Sequence, residues 1–475
     1  MKYRLLVSAA GLFLAVLALS WVFHGTGVVK NDLSRNISIP KELTMPLQVK
    51  AAFDGEKIFF RYRWPAREPH IYHDMLRYEG GKWVRIGRSV PGPQAQDIYE
   101  DRVTMMVDDG AVPEFERYGG YITIGDRMRF FSAEASKKEV EAHPYLGKTA
   151  KQEEVRKHLP ETRLDIADWT SVIPADKLAA QRRAGYFLDL WHWRAHRSNP
   201  IGASDDEVIA EARFGDKGKG VFGSNWDAKL SQPQLMFDPQ KAGGRFALRW
   251  ADLEARKLGF DDLYYLREDQ AKPFDANHAW KDGDVIPQRV LRAGDGSHAD
   301  IKVHGNARWK DGYWDVTLVR AMDTGNPLDD KMFMDRRAYT IAFAVHRDAT
   351  GSRWHYVSLP VRLGLNRDAD LKAVQFAGDG PKWEQDWHEV KLFYPGQVSW
   401  PMLNSRKHAG ASKIKQGVPV KFRHSESQLA HYGVEMEFND AIIRQWRLTL
   451  AAGLLLIAGF GVALLLLLGN ERSRS

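Results

Sequence analysis

Two apolar segments, one near each end, limit this chain more than anything else in it. Leu5–Phe23 and Leu448–Gly469 contain no charged side chain, and each approaches the roughly 20 residues that a helix needs to cross the hydrocarbon of a bilayer. The short flanks outside them are basic, with Lys2 and Arg4 before the first and Arg472 and Arg474 after the second. The positive-inside tendency then puts both ends in the cytoplasm and everything between them outside. Trp446, with Arg444 and Arg447, has the composition of an interfacial anchor. The N-terminal segment has a second reading as a cleaved signal peptide, because Ala18-Leu19-Ser20 has the small-x-small form of a processing site. Either way the bulk is exported, which predicts a protein of the bacterial inner membrane with most of its chain in the periplasm. The expected organisation is an N-terminal transmembrane helix or signal anchor at 1–24, an exported domain at 28–402, a polar, basic juxtamembrane stalk at 403–446, a transmembrane helix at 447–469 and a cytoplasmic tail at 470–475.

Composition sets what the exported part can be. With 44% hydrophobic residues and 11% aromatics over the whole chain, the sequence is far more apolar than a disordered one. Its net charge of +7 comes from 68 basic residues scattered among 61 acidic ones. A mixed, solvated surface that tolerates anionic lipid follows, and nucleic acid is not an expected partner. There is no cysteine, which excludes disulfides, thiolate metal sites, iron–sulfur clusters, thiol nucleophiles and haem attached through CxxCH.

Alternating short runs predict strands. Leu47–Phe53 and Ile58–Trp64 flank an Asp54-Gly55 turn, and Met75–Tyr78 and Trp83–Ile86 flank Gly80-Gly81, both hairpin signals. Similar runs follow at Asp101–Val107, Gly120–Ile124, Ala184–Arg194, Ala299–Val303, Tyr313–Val319, Ala338–Val345 and His355–Val361. The fold class predicted is mainly β: a β-sandwich, immunoglobulin-like or carbohydrate-binding-module-like, with helical and loop insertions and a transmembrane helix on each flank. Ala133–Arg183 and Leu248–Asp269 are the expected helical excursions, and Gly215–Gly244 an expected loop.

Three clusters could carry chemistry. Asp189–Pro200 holds two Trp, two His and Arg194 and Arg197; Ser352–Ser358 holds Arg353, Trp354, His355 and Tyr356; Val103–Val107 holds Met105 and Met106. Taken singly, each has a structural explanation: aromatic core packing, a structural histidine, and methionine as core filler. Strand alternation sends the two methionines to opposite faces.

In their shared order these clusters resemble the ethylbenzene dehydrogenase-related haem-binding domain. The likeness rests on Asp101-Arg102-Val103 with the two methionines, on Leu190-Trp191-His192-Trp193-Arg194-Ala195 with Asn199-Pro200, and on Gly312–Val316, Ala342–Val345 and Val357-Ser358. That family includes haem b subunits of periplasmic molybdenum enzymes related to dimethyl sulfoxide reductase. The resemblance implies a noncovalent haem b whose axial ligands in the relatives are a strand methionine and a lysine. Met106, or its neighbour Met105, matches the methionine. His355 stands where the lysine would be, a departure that still offers a common haem ligand. His192 is the alternative ligand or a hydrogen-bond donor to a propionate. Trp191, Trp193, Trp354 and Tyr356 could wall the slot, and Arg194, Arg197 and Arg353 could meet the propionates. Two protein ligands leave no open iron position, so electron transfer rather than catalysis is implied, with a periplasmic or membrane redox protein as partner, such as a molybdoenzyme or a membrane cytochrome b. Multihaem relatives look similar through Tyr394–Trp400, but Val420–His424 lacks both cysteines of a CxxCH site.

A cofactor-free binding or adaptor sandwich is the rival reading. For an enzyme, no Ser/His/Asp arrangement, HExxH or phosphate-binding loop is evident. The pairs Asp108-Asp109, Asp205-Asp206 and Asp261-Asp262 read as solvated turns, and His70-x-x-His73, lacking a third ligand, as a surface loop.

Overall fold

The computed structural model describes residues 44–87, 98–120, 135–347 apart from 154, 156, 157, 166 and 167, then 356–393 and 447–461, with 11, 14, 15 and 463 as isolated positions. The chain divides into two units, Ser38–Ser425 on one hand and Met1–Ile37 with Glu426–Ser475 on the other. In the second unit residues 447–461 are helical, and Leu448, Leu454 and Leu455 are exposed. Among the described residues no helix is long and apolar enough to cross a membrane. The transmembrane helices expected on the two flanks therefore find no support in a described helix; most of Leu5–Phe23 and the end of Leu448–Gly469 lie outside the described residues.

The larger unit is mainly β. Its first two strands, β1 (Thr44–Phe53) and β2 (Lys57–Pro65), pair antiparallel from Gln48↔Arg63 to Phe53↔Ile58. Asp54 Oδ1 accepts hydrogen bonds from the backbone N–H groups of Glu56 and Lys57 at 2.8 and 2.7 Å, and Gly55 takes φ +100°. The Asp-Gly turn thus closes as its chemistry predicts, since glycine adopts positive φ without a Cβ clash.

Ten more strands frame the site: β3 (Arg102–Asp108), β4 (Leu188–Arg194), β5 (Asp205–Ile209), β6 (Arg213–Gly215), β7 (Tyr313–Ala321), β8 (Ala338–His346), β9 (Tyr356–Ser358), β10 (Val361–Leu365), β11 (Leu371–Gln375) and β12 (His388–Phe393). With two short strands beside β7 they make one 14-stranded sheet, in the order β7-β2-β1-β11-β10-β8-β3-β4-β5-β6, while β12 bridges β1 and β9 and β9 pairs with β8. Ring contacts show that this sheet doubles over into two facing layers. Phe60 of β2 meets Trp191 of β4 edge-on at 5.4 Å, and Trp64 meets Trp193 at 6.0 Å. Trp314 of β7 closes the group, 5.9 Å from Trp64 and 5.2 Å from Trp193.

Several expectations are corrected. Ala133–Arg183 yields only the short α-helices Lys137–Ala142 and Ala175–Arg183 and a 3-10 turn at Pro160–Thr162 among its described residues, and Leu248–Asp269 only the α-helix Trp250–Glu254 and the start of a 3-10 turn at Glu268–Gln270. The Ala175–Arg183 helix buries a single side chain, Leu178, so no apolar stripe exists to extend it. Gly215–Gly244 is not plain loop but carries short strands, among them Phe222–Ser224 and Leu235–Phe237. Asp205-Asp206 opens a fully buried strand rather than a solvated turn, and Asp108 is buried as well, accepting from the N–H groups of Gly110 and Val112. Of the three pairs, only Asp261-Asp262 is exposed.

Removing one indole from the Trp64–Trp193–Trp314 group leaves a void that these rigid rings cannot fill. Trp193→Ala is expected to cost about 3–5 kcal/mol, read as a lower urea midpoint. A loss under about 1 kcal/mol would mean that the two layers are not joined there.

Candidate cofactor site

Strand period alone assigns the faces of β3, β4 and β8. In their antiparallel register Met105 stands opposite Trp191 and Phe343, whereas Met106 stands opposite Leu190 and Ala342. The first set points between the layers, where the Tyr62 hydroxyl donates to the Met105 sulfur at 3.4 Å. Met106 lies on the other face, in an apolar cluster with Phe115, Tyr118, Leu190, Val357 and Phe393. Ala342, Ala344 and Gly120 leave that surface low: a Cβ added at Gly120 would sit 3.8 Å from the Met106 sulfur.

The same face turns basic within two residues. Arg102 and Thr104 precede Met106 at alternate positions of β3, and His192 and Arg194 follow Leu190 on β4, with Thr104 opposite His192 and Arg102 opposite Arg194. His192 Nδ1 lies 2.8 Å from Arg194 Nη2, 3.0 Å from Arg213 Nη2 and 3.2 Å from Glu207 Oε2. Burial, reinforced by the Arg194 charge, holds this imidazole well below its ordinary pKa. It is neutral; the Arg194 and Arg213 N–H groups call for Nδ1 as acceptor, whereas the Glu207 carboxylate calls for Nδ1 as donor, and the two shorter guanidinium contacts favour the proton on Nε2. Nε2 is buried without a hydrogen-bond partner. Burial opposes a charge on Glu207, but Arg213 and Arg194 outweigh it and keep that carboxylate well below its usual range. Arg194 also pairs with Asp205.

The structure separates the other expected site residues. Trp191, Trp193 and Met105 line the interior of the two layers, and Tyr356, opposite Val345, faces away from Val357; none shares the face of Met106. Arg197 belongs to a second ionic group, where Glu100 accepts from the N–H groups of His196 and Arg197 at 2.7 and 2.9 Å. Arg353, Trp354 and His355 lie outside the described residues. The residues not foreseen at the basic end are Arg102, Arg213 and Glu207. Arg102 was visible in the sequence, since it keeps step with Thr104 and Met106 at period two; Arg213 and Glu207 enter only through the pairing of β5 and β6.

His70 and His73 are not on a surface loop. Both are buried, with His73 Nε2 3.3 Å from Asp74 and Nδ1 3.8 Å from Glu100, and His70 3.8 Å from Asp101. Burial, then the Arg197 charge, drives His73 down to about 3. Among the described residues the only group of three such side chains placed to hold a metal is instead Asp189, Asp206 and Asp330.

With this geometry in place, comparison with known sequences decides the family. The ethylbenzene dehydrogenase profile matches residues 22–358. The chain belongs to the ethylbenzene dehydrogenase family. No curated protein matches it. The family match takes in Met105, Met106, His192, Arg353 and His355 and ends at Ser358, while β10, β11 and β12 beyond it complete the same sheet. Tyr394–Trp400 and Val420–His424 fall outside both the match and the described residues.

His73 supplies a pH test of the buried network. Between pH 6.5 and 3 the unfolded chain takes up a proton here that the folded chain refuses, so stability is lost as pH falls. His73→Gln removes that loss: the stability of the native protein minus that of the variant should shrink by up to about 1.4 kcal/mol per pH unit through this window, measured by urea unfolding. A difference independent of pH would contradict the neutral, buried state of His73.

Proposed function

We propose that this member of the ethylbenzene dehydrogenase family binds one haem b noncovalently on the Met106 face and serves electron transfer at the periplasmic side of the bacterial inner membrane. The observation that carries this reading is the gradient along one face of β3 and β4, apolar around the Met106 sulfur and cationic at Arg102 and Arg194. Such a face matches a macrocycle with an apolar body and two carboxylates at one edge. Haem supplies a one-electron iron couple when bound; the chain's own contribution is to ligate, to orient and to exclude water.

Met106 is the residue of β3 that would ligate the haem iron. Met105, whose sulfur is engaged by Tyr62, is not. His192 and Met106 project from the same face of neighbouring strands, so the two would not both serve as ligands of one iron. Nδ1 of His192 is also occupied by two guanidinium groups, which leaves Nε2–H as a donor. His192 therefore orients a propionate beside Arg194, and His355, two residues before Val357 in sequence, is proposed as the second ligand, with Arg353 as a further propionate partner. The electron partner is a periplasmic or membrane redox protein, a molybdoenzyme or a membrane cytochrome b. The two apolar ends are proposed as membrane spans, which places the chain against lipid.

Oxidised and reduced visible spectra of the detergent-purified full chain test the assignment. Met106→Leu and His355→Ala should each abolish the low-spin reduced α-band, and Met105→Leu should keep it. Retention of the band in Met106→Leu, or its loss in Met105→Leu alone, would overturn the ligand assignment.

A further inference from the structure

Between the two layers lies a group of carboxylates that a haem site does not use. Arg320 of β7, fully buried, donates to Asp206 and Asp189 at 2.7 Å each, to Asp330 at 2.9 Å and to the Lys331 carbonyl at 3.1 Å. One guanidinium thus faces three carboxylates. The ligand oxygens of these three aspartates lie within 4.8 Å of one another.

A fourth carboxylate joins them without any partner of its own. The β5–β6 register runs Ile209↔Arg213 to Glu207↔Gly215, and the Asp216 N–H donates to the Asp206 carbonyl at 3.2 Å, so Asp216 stands opposite Asp206. Directly opposed residues of antiparallel strands share a face, with Cβ atoms about 5 Å apart. Asp216 is 4% exposed, yet neither of its oxygens has a hydrogen-bond partner. Asp189 Oδ1 and Asp206 Oδ1 are likewise buried and unpartnered. Were all four ionised, these carboxylates against one guanidinium would carry an excess of three negative charges, with Asp300 adding another carboxyl within electrostatic reach of Arg320. Isolated carboxylates are not kept charged in a protein interior at that density without a compensating cation.

We propose that a single Ca²⁺ binds here, held by the free oxygens of Asp189, Asp206 and Asp216 on the side of the cluster that Arg320 leaves open. The donor set is oxygen only, which suits a hard cation and excludes the thiolate- and imidazole-seeking metals. Ca²⁺ takes six to eight oxygens in flexible geometry, whereas Mg²⁺ demands a near-ideal octahedron and keeps several waters. A buried cluster already crowded by a guanidinium suits the former. The site would tie together β4, β5 and the end of β6, on the face of β4 opposite to His192.

The test uses the full chain in detergent, stripped with EDTA and then titrated with CaCl₂ alone. Metal analysis after desalting should find one Ca²⁺ per chain, and CaCl₂ should raise the unfolding temperature. Asp216→Asn should weaken Ca²⁺ binding at least tenfold and cancel the Ca²⁺-dependent rise. In EDTA the same variant should be more stable than the native protein, because it removes an unpaired buried carboxylate; a purely structural aspartate would give the opposite sign. Asp261→Asn, at the exposed pair, should change neither reading. The proposal is overturned if the native protein retains no Ca²⁺ and gains nothing from it. Equal Ca²⁺ affinity in native protein and Asp216→Asn, or an equal loss of stability by the variant with and without Ca²⁺, overturns it too.

Discussion

The antiparallel pairing of Arg102–Asp108 with Leu188–Arg194 is the constraint on which the rest of the molecule depends, because each strand presents one set of side chains to the interior and a different set to the outer face. A slip of one residue would exchange Met105 for Met106 and carry His192 inward. Two features resist it. The Trp64–Trp193–Trp314 packing holds the odd-numbered positions of β4 between the layers, and the His192–Arg194–Arg213–Glu207 network holds the even-numbered ones outside.

Charge inside this protein follows one logic in three places. Buried carboxylates and guanidinium groups are retained where they satisfy one another, as Glu100 does with Arg197 and the backbone of His196 and Arg197. Histidines caught among those cations stay neutral, since burial and a nearby positive charge act in the same direction. Around Arg320 carboxylate oxygens of Asp189, Asp206 and Asp216 stay without partners, and these are what the proposed hard cation would complete. A buried pair adds little net stability over a packed apolar core, but breaking one costs several kcal/mol. These groups are therefore better understood as fixing which strands meet than as the source of the fold's stability.

Much of this was legible in the chain and some was not, for physical reasons. The Asp54-Gly55 hairpin, the strands at 102–108, 188–194, 313–321 and 338–346 and the opposite facing of Met105 and Met106 all follow from local rules of period and turn chemistry. What local rules mishandled is burial of charge. Asp205-Asp206 and His70-x-x-His73 carry the composition of a solvated loop, and only their distant partners, Arg194 and Arg320 for the first and Glu100 and Asp101 for the second, make them interior residues. Trp191 and Trp193 adjoin His192 in sequence, which suggests a shared cofactor wall, whereas a strand sends immediate neighbours to opposite faces. The likeness to ethylbenzene dehydrogenase rests on short motifs that all lie within the family match.

The central claim is that the Met106 face is built for a porphyrin. The most direct measurement is the haem content of the full-length protein, determined as the pyridine haemochrome after purification in detergent and again after incubation with haemin. One haem b per chain is predicted. Protein that is colourless as isolated and takes up no haemin would contradict the claim and leave a two-layered β protein without this cofactor.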